Sequence, residues 1–198
     1  MSTATTSFPN MAAAWHLPSR GKVAMAGLII AESAIFTIFV VAYLFYLGKS
    51  VTGPTPREVL ETPIFYTICL LSSSLTIHLA AKFLVRGITF AFLGFWLVTI
   101  ALGGLFLYGT AQEWHRLIYE HGLTISTNLF GTTYYSLVGL HGFHVTAGLV
   151  MLTIVAVFGL SGRVGVKHSG HIEVLAMYWH FVDAVWVVVF TVVYVLGR

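Results

Sequence analysis

Five apolar runs, each about as long as the roughly 20 residues needed to cross a bilayer, dominate this chain. They are Val23 to Gly48, Ile64 to Leu84, Ile88 to Tyr108, about Asn128 to about Leu160, and about His171 to Leu196. The third, "ITFAFLGFWLVTIALGGLFLY", has no charged residue. In lipid every backbone amide needs an internal partner, so only helices or a closed barrel can span. Ten-residue units of alternating polarity, the mark of a barrel, are absent, and the runs are predicted to be helices. A hydrophobic fraction of 58% and a charged fraction of 9% fit a membrane protein better than a soluble globule. The chain of 198 residues is one ordinary domain at most.

Polar or Gly/Pro-bearing pieces separate the runs: "KSVTGPTPREVLETP", the tight "VRG", "QEWHRLIYEHGLTIS" and "SGRVGVKHSG". The N-terminal region and the second and fourth connections share one side, with Arg20, Lys22, Lys82, Arg86, Arg163 and Lys167. On the other side Lys49, Arg57, Arg116 and Arg198 are offset by Glu58, Glu61, Glu113 and Glu120. The positive-inside rule then puts the N-terminus in the cytoplasm and the C-terminus outside. The expected fold class is all-α: a polytopic membrane protein with five transmembrane helices in one bundle. Residues 1–20 read as an extramembrane tail without the basic start and apolar core of a secretory signal, and 21–198 as the membrane domain. A net charge of +3 without a basic run argues against nucleic acid. A single cysteine, Cys69, rules out an internal disulfide or a cysteine-rich metal centre.

Several side chains do not belong in hydrocarbon. Glu32 lies about ten positions, hence about 15 Å, into the first span, and His180 is at about the same depth in the fifth. Asp183 is one turn beyond His180, and Glu173 is on the same face nearer the cytoplasmic boundary. His141 and His144 occupy the middle of the fourth span, "TTYYSLVGLHGFHVTAGLVML", and His78 the cytoplasmic half of the second. A carboxylate at such depth costs at least about 2.5–3.5 kcal/mol, so it must be neutralised, paired or turned inward. Matched depth predicts that Glu32 and His180 meet. Gly139, Gly142 and Gly148, with Ala147, are predicted to admit a neighbouring helix beside the histidines. Two roles fit these polar groups: structural interhelical hydrogen bonding, averaging about 0.6 kcal/mol each, or proton handling. The nine histidines are scattered over different depths and connections, which is a weak ligand pattern for intrinsic metal or haem.

The motifs themselves carry a resemblance. "GLHGFHVTAGLVML" followed by "HIEVLAMYWHFVDAVWVVVFTVVYV" is similar to the last two helices of subunit III of the haem–copper oxidases. "ESAIF" from Glu32 to Phe36, "AQEWHRLI" and "NLFGTTYYSLVGLHG" also fit, and the resemblance runs from about Arg20 onward. It implies an accessory subunit without a redox centre, in a proton-pumping terminal respiratory oxidase that reduces oxygen to water. Haem and copper then reside in partner subunits, so no cofactor is expected in this chain. The implied partners are oxidase subunits I and II and membrane phospholipids, and the implied location is the bacterial plasma membrane. Supporting proton uptake by the catalytic subunit and protecting it from turnover inactivation are the implied roles.

The family's buried carboxylate maps to Glu32, its paired histidines to His141 and His144, and its last-helix cluster to His180 and Asp183. Together with Glu173 these form the expected buried polar, proton-supporting network. The likeness is to the five-helix form. The first two helices of the seven-helix form, which bound its lipid cleft, have no counterpart, so no lipid-binding residue is assigned. Cytochrome c is the favoured electron donor on family breadth; a quinol oxidase subunit and the homologue accompanying nitric oxide reductases are the alternatives. Outside that family, the alternatives are an independent proton or ion transporter and a stand-alone di-iron or haem enzyme. A transporter more often shows paired repeats and broken helices, and neither is visible.

Overall fold

The computed structural model describes residues 19–50 and 52–197. The expected tail lies outside the described residues except for Ser19 and Arg20, and Arg20 is already helical. Helix α1 spans Arg20–Tyr46, α2 Pro56–Val59, α3 Ile64–Val85, α4 Thr89–Tyr119, α5 Leu129–Leu160 and α6 Ser169–Phe190. A 3₁₀ turn, Val166–His168, precedes α6, and a π-helical turn, Thr191–Leu196, follows it. Helices α1, α3, α4 and α5 and the continuous helical run Val166–Leu196 around α6 are each long and apolar enough to cross a membrane. No strand occurs among the described residues.

Local chemistry explains the helix ends. Ser19 Oγ accepts from the Lys22 amide at the start of α1, and Asn128 Oδ1 accepts from the Gly131 amide at 2.8 Å at the start of α5. Such caps satisfy amides with no partner inside the helix. Pro56 opens α2, where the Thr55 amide donates to Glu58 at 2.9 Å. The hydrogen bonds from the Thr55 backbone and side chain hold the Glu58 carboxyl below the usual carboxylate range. Gly87, with φ of 76°, makes the tight reversal between α3 and α4.

The third span was expected to end at Tyr108, but α4 continues to Tyr119. "AQEWHRLIY" contains good helix formers and neither Gly nor Pro. It keeps one apolar face, since Leu117 is fully buried and Trp114 packs on the core. Gly122, with φ of 62°, lies just beyond the helix end. The polar residues of this stretch had disguised a helix as a connection.

The helices form a ring in the order α1, α5, α4, α3, α6 and back to α1, with α5 also touching α6 across the middle. Trp179 of α6 sits at the centre, fully buried. Its Nε1–H donates to Ser73 Oγ of α3 at 2.8 Å. Its ring lies in a slot between Gly103 of α4 and Gly148 of α5, where a β-carbon would come within 2.9 and 2.8 Å of it, respectively. Trp186 Nε1–H donates to Thr67 of α3 at 3.2 Å, and Trp96 Nε1–H of α4 donates to the Leu152 carbonyl of α5 at 2.9 Å. Each indole thus fills volume and carries an interhelical hydrogen bond. The expected close approach therefore holds at Gly148. At Gly139 a β-carbon would stand 3.3 Å from a Trp114 ring atom, and at Gly142 nothing lies within 4 Å. Gly142 faces outward, so its small size serves no contact within this chain.

Candidate functional site

The expected network is two separate clusters. In the first, Glu32 Oε2 of α1 lies 3.2 Å from His144 Nε2 of α5. His144 Nδ1 is 2.8 Å from the Leu140 carbonyl. A carbonyl only accepts, so Nδ1 carries a hydrogen and Nε2 is the nitrogen presented to Glu32. One proton makes this contact a hydrogen bond, whether it resides on the carboxyl or on Nε2. Phe36, one turn beyond Glu32, packs on the His144 ring at 5.1 Å. Tyr178 Oη–H of α6 donates to the His144 carbonyl at 3.1 Å. Ser33 and Thr37 donate to carbonyls of their own helix, both at 2.7 Å, and do not reach the carboxylate.

The expected partner of Glu32 was His180; the ring it meets is His144. Depth along the bundle had narrowed the choice without deciding it. Helix α1 packs on both α5 and α6, and His180 turns instead toward α3.

There it forms the second cluster. Ser74 Oγ is 2.9 Å from His180 Nδ1, and the same hydroxyl contacts Asp183 Oδ2. Asp183 is only 3% exposed, and its Oδ1 meets no hydrogen-bonding group among the described residues. His78 is one turn from Ser74 on α3. It lines an open cleft of about 390 Å³ between α3 and α6, together with Lys82, Arg86, Ser169 and Glu173.

His141 stands apart from both clusters. It is 1% exposed, stacked on Trp186 at 5.0 Å and meeting Phe106 edge-on at 5.7 Å. Neither ring nitrogen finds a hydrogen-bonding partner among the described residues. A three-residue step along a helix rotates the side chain by about 60° in net terms. That is enough to aim His144 at α1 and His141 at the aromatics of α4 and α6. Glu173 pairs with Lys22 at 2.8 Å on the exposed edge of α1 and α6. Exposed pairs contribute about 0.2–1 kcal/mol, so this one mainly registers the two helix ends.

Two features were not anticipated. Ser74 is one of three consecutive serines in "LLSSSLTIH", at the level of His180, and that run of hydroxyls in an apolar span was the available signal. Glu113, read as part of an outer connection, lies on α4 and accepts from Tyr194 Oη–H at 2.8 Å. It became visible only once α4 extended past Tyr108. Among the described residues no group of three or more His, Cys, Asp or Glu converges to hold a metal ion.

Fold and clusters together define a multi-pass helical membrane protein that shelters ionisable side chains between its helices. More particularly, the family model for cytochrome c oxidase subunit III matches residues 21–198, and the chain belongs to that family. It is 40% identical to cytochrome c oxidase subunit 3 of Synechocystis, covering 85% of this chain and 72% of the relative. It is 34% identical to cytochrome c oxidase subunit 3 of Alkalihalophilus pseudofirmus, covering 84% and 82%. It is also 34% identical to cytochrome bo(3) ubiquinol oxidase subunit 3 of Pseudomonas aeruginosa, covering 85% and 81%.

Proposed function

We propose that this chain is the accessory, non-redox subunit III of a proton-pumping terminal oxidase in a bacterial plasma membrane. It docks with subunits I and II, which carry the haem and copper, and stabilises the catalytic subunit while supporting its proton uptake. The observation that carries this reading is the Glu32–His144 contact, a proton-bearing pair sheltered between α1 and α5 in a chain of this family. Glu32, His144, His180 and Asp183 are the proposed proton-handling residues. His141 serves as a packed aromatic and Glu173 as a tie at the helix ends. Residues 1–20 are the proposed tail and 21–198 the membrane domain. Cytochrome c is the proposed donor, as the names of the Synechocystis and Alkalihalophilus relatives favour. The ubiquinol oxidase relative supports quinol as the second reading.

Affinity purification tests the assembly. A tagged chain is expected to bring down a haem-bearing partner, and to show no haem absorption once that partner is removed. A haem or copper ligated by this polypeptide alone would overturn the reading.

The proposed orientation puts the N-terminus and the Lys82 end in the cytoplasm, on the asymmetry of Lys and Arg. In intact spheroplasts, an impermeant maleimide is expected to label E61C and to spare K82C until the membrane is opened. The reverse pattern would invert the topology. Glu61 and Lys82 are both exposed, and the native Cys69 is buried.

A further inference from the structure

We propose that Ser74 is a proton relay between His180 and Asp183, deepening the proton-handling reading on which it rests. The serine hydroxyl has one hydrogen and touches both an imidazole nitrogen and a buried carboxyl oxygen. The same heavy-atom positions therefore accommodate two proton arrangements. In one, His180 Nδ1–H donates to Ser74 Oγ, and Ser74 Oγ–H donates to the Asp183 carboxylate. In the other, Asp183 Oδ2–H donates to Ser74 Oγ, and Ser74 Oγ–H donates to a bare His180 Nδ1.

Passing between them moves one proton. The Nδ1–H bond breaks, Ser74 Oγ takes that proton and releases its own, and an O–H bond forms at Asp183. An imidazolium becomes a neutral imidazole with hydrogen on Nε2, and no electron changes owner. Hydroxyls act in this way because they donate and accept at once.

The placement gives the relay a direction. Asp183 is 3% exposed, whereas His180 is half-buried. The cleft carrying His78, Lys82, Arg86 and Glu173 opens between the same two helices, α3 and α6. Along α3, His78 is one turn from Ser74; along α6, Glu173 is two turns from His180. Glu173 is engaged by Lys22 of α1. His78 is thus the titratable group on α3 nearest the outer end of the relay. Asp183 is reached through His180 and Ser74, so a proton bound for Asp183 passes through the serine hydroxyl.

Infrared difference spectroscopy on the assembled complex tests this without relying on turnover. D183N identifies the carboxyl band, and isotope-labelled histidine identifies the ring modes lost in H180Q. In the wild type and in S74T, which keeps a hydroxyl, protonation of Asp183 and deprotonation of His180 are expected as a single step. In S74A the two changes separate, and hydrogen–deuterium exchange at Asp183 slows about a hundredfold, within the range for a lost proton-transfer group. H180Q is expected to slow that exchange equally, with no further loss in the S74A/H180Q double variant. A coupled step surviving in S74A, exchange unaffected by H180Q, or a wild type with no band removed by D183N would each overturn the relay. Unchanged coupling in S74A alongside faster inactivation of Glu32 variants would reject the relay and leave the subunit's proposed role standing.

Discussion

Replacing Glu32 with alanine is expected to leave the assembled oxidase able to start reducing oxygen but to shorten its working life over repeated turnovers. The side chain makes a 3.2 Å contact with His144 Nε2, and its removal strands that nitrogen in a ring whose side chain is only 8% exposed. A hydrogen bond to a charged group contributes about 1.5–3 kcal/mol. If half of that falls on the barrier to inactivation, the decay rate rises roughly four- to thirteenfold. Oxygen-electrode traces on complexes first shown to contain the subunit measure it.

Two companions separate proton handling from simple support. E32Q retains an amide that can meet the ring but cannot titrate. Decay like that of E32A marks a proton role, and decay like that of the wild type marks a structural one. H144A is expected to add little to E32A, since both remove the same contact. Unchanged decay in an assembled E32A complex would remove Glu32 from the proposed function.

Gly148→Val is expected to abolish a monodisperse bundle, while Gly142→Val, six residues away on the same helix, is tolerated. At Gly148 a β-carbon would lie 2.8 Å from the Trp179 ring. That ring is fully buried, tethered to Ser73 at 2.8 Å and also closely approached by Gly103. It has nowhere to retreat. Overpacking of this kind costs about 1–3 kcal/mol and occasionally more, and here the strain falls on a residue touching three other helices. At Gly142 nothing lies within 4 Å. Gel filtration and thermal unfolding in detergent read the contrast, and W179F is expected to recover part of the loss in G148V. Equal tolerance of both valines would show that the slot does not hold the helices together. Impaired docking of an otherwise stable G142V would mark its outward face as a surface used by a partner subunit.

Much of this protein follows from one-dimensional facts. Apolar length against bilayer thickness dictates five spans, and the need to satisfy every amide in lipid makes them helices. The motifs around His141, His144, His180 and Asp183 pointed to the family to which the chain belongs. That ionisable groups at such depth turn inward follows from the cost of leaving them in hydrocarbon.

Azimuth and helix neighbours did not follow. Glu32 and His180 share a depth, yet rotation about the helix axes gives Glu32 to His144 and His180 to Ser74. His141 and His144, three residues apart, part company: one stacks among aromatics and the other meets a carboxyl. Glu113 moved from a supposed connection into the bundle because α4 runs past its apolar stretch to Tyr119. The hydropathy of a run and the rise per residue along it give how deep a residue sits. Which side chain it touches depends on how five cylinders rotate and lean to close their core, and that is settled only when indoles, glycines and hydroxyls from different helices pack together.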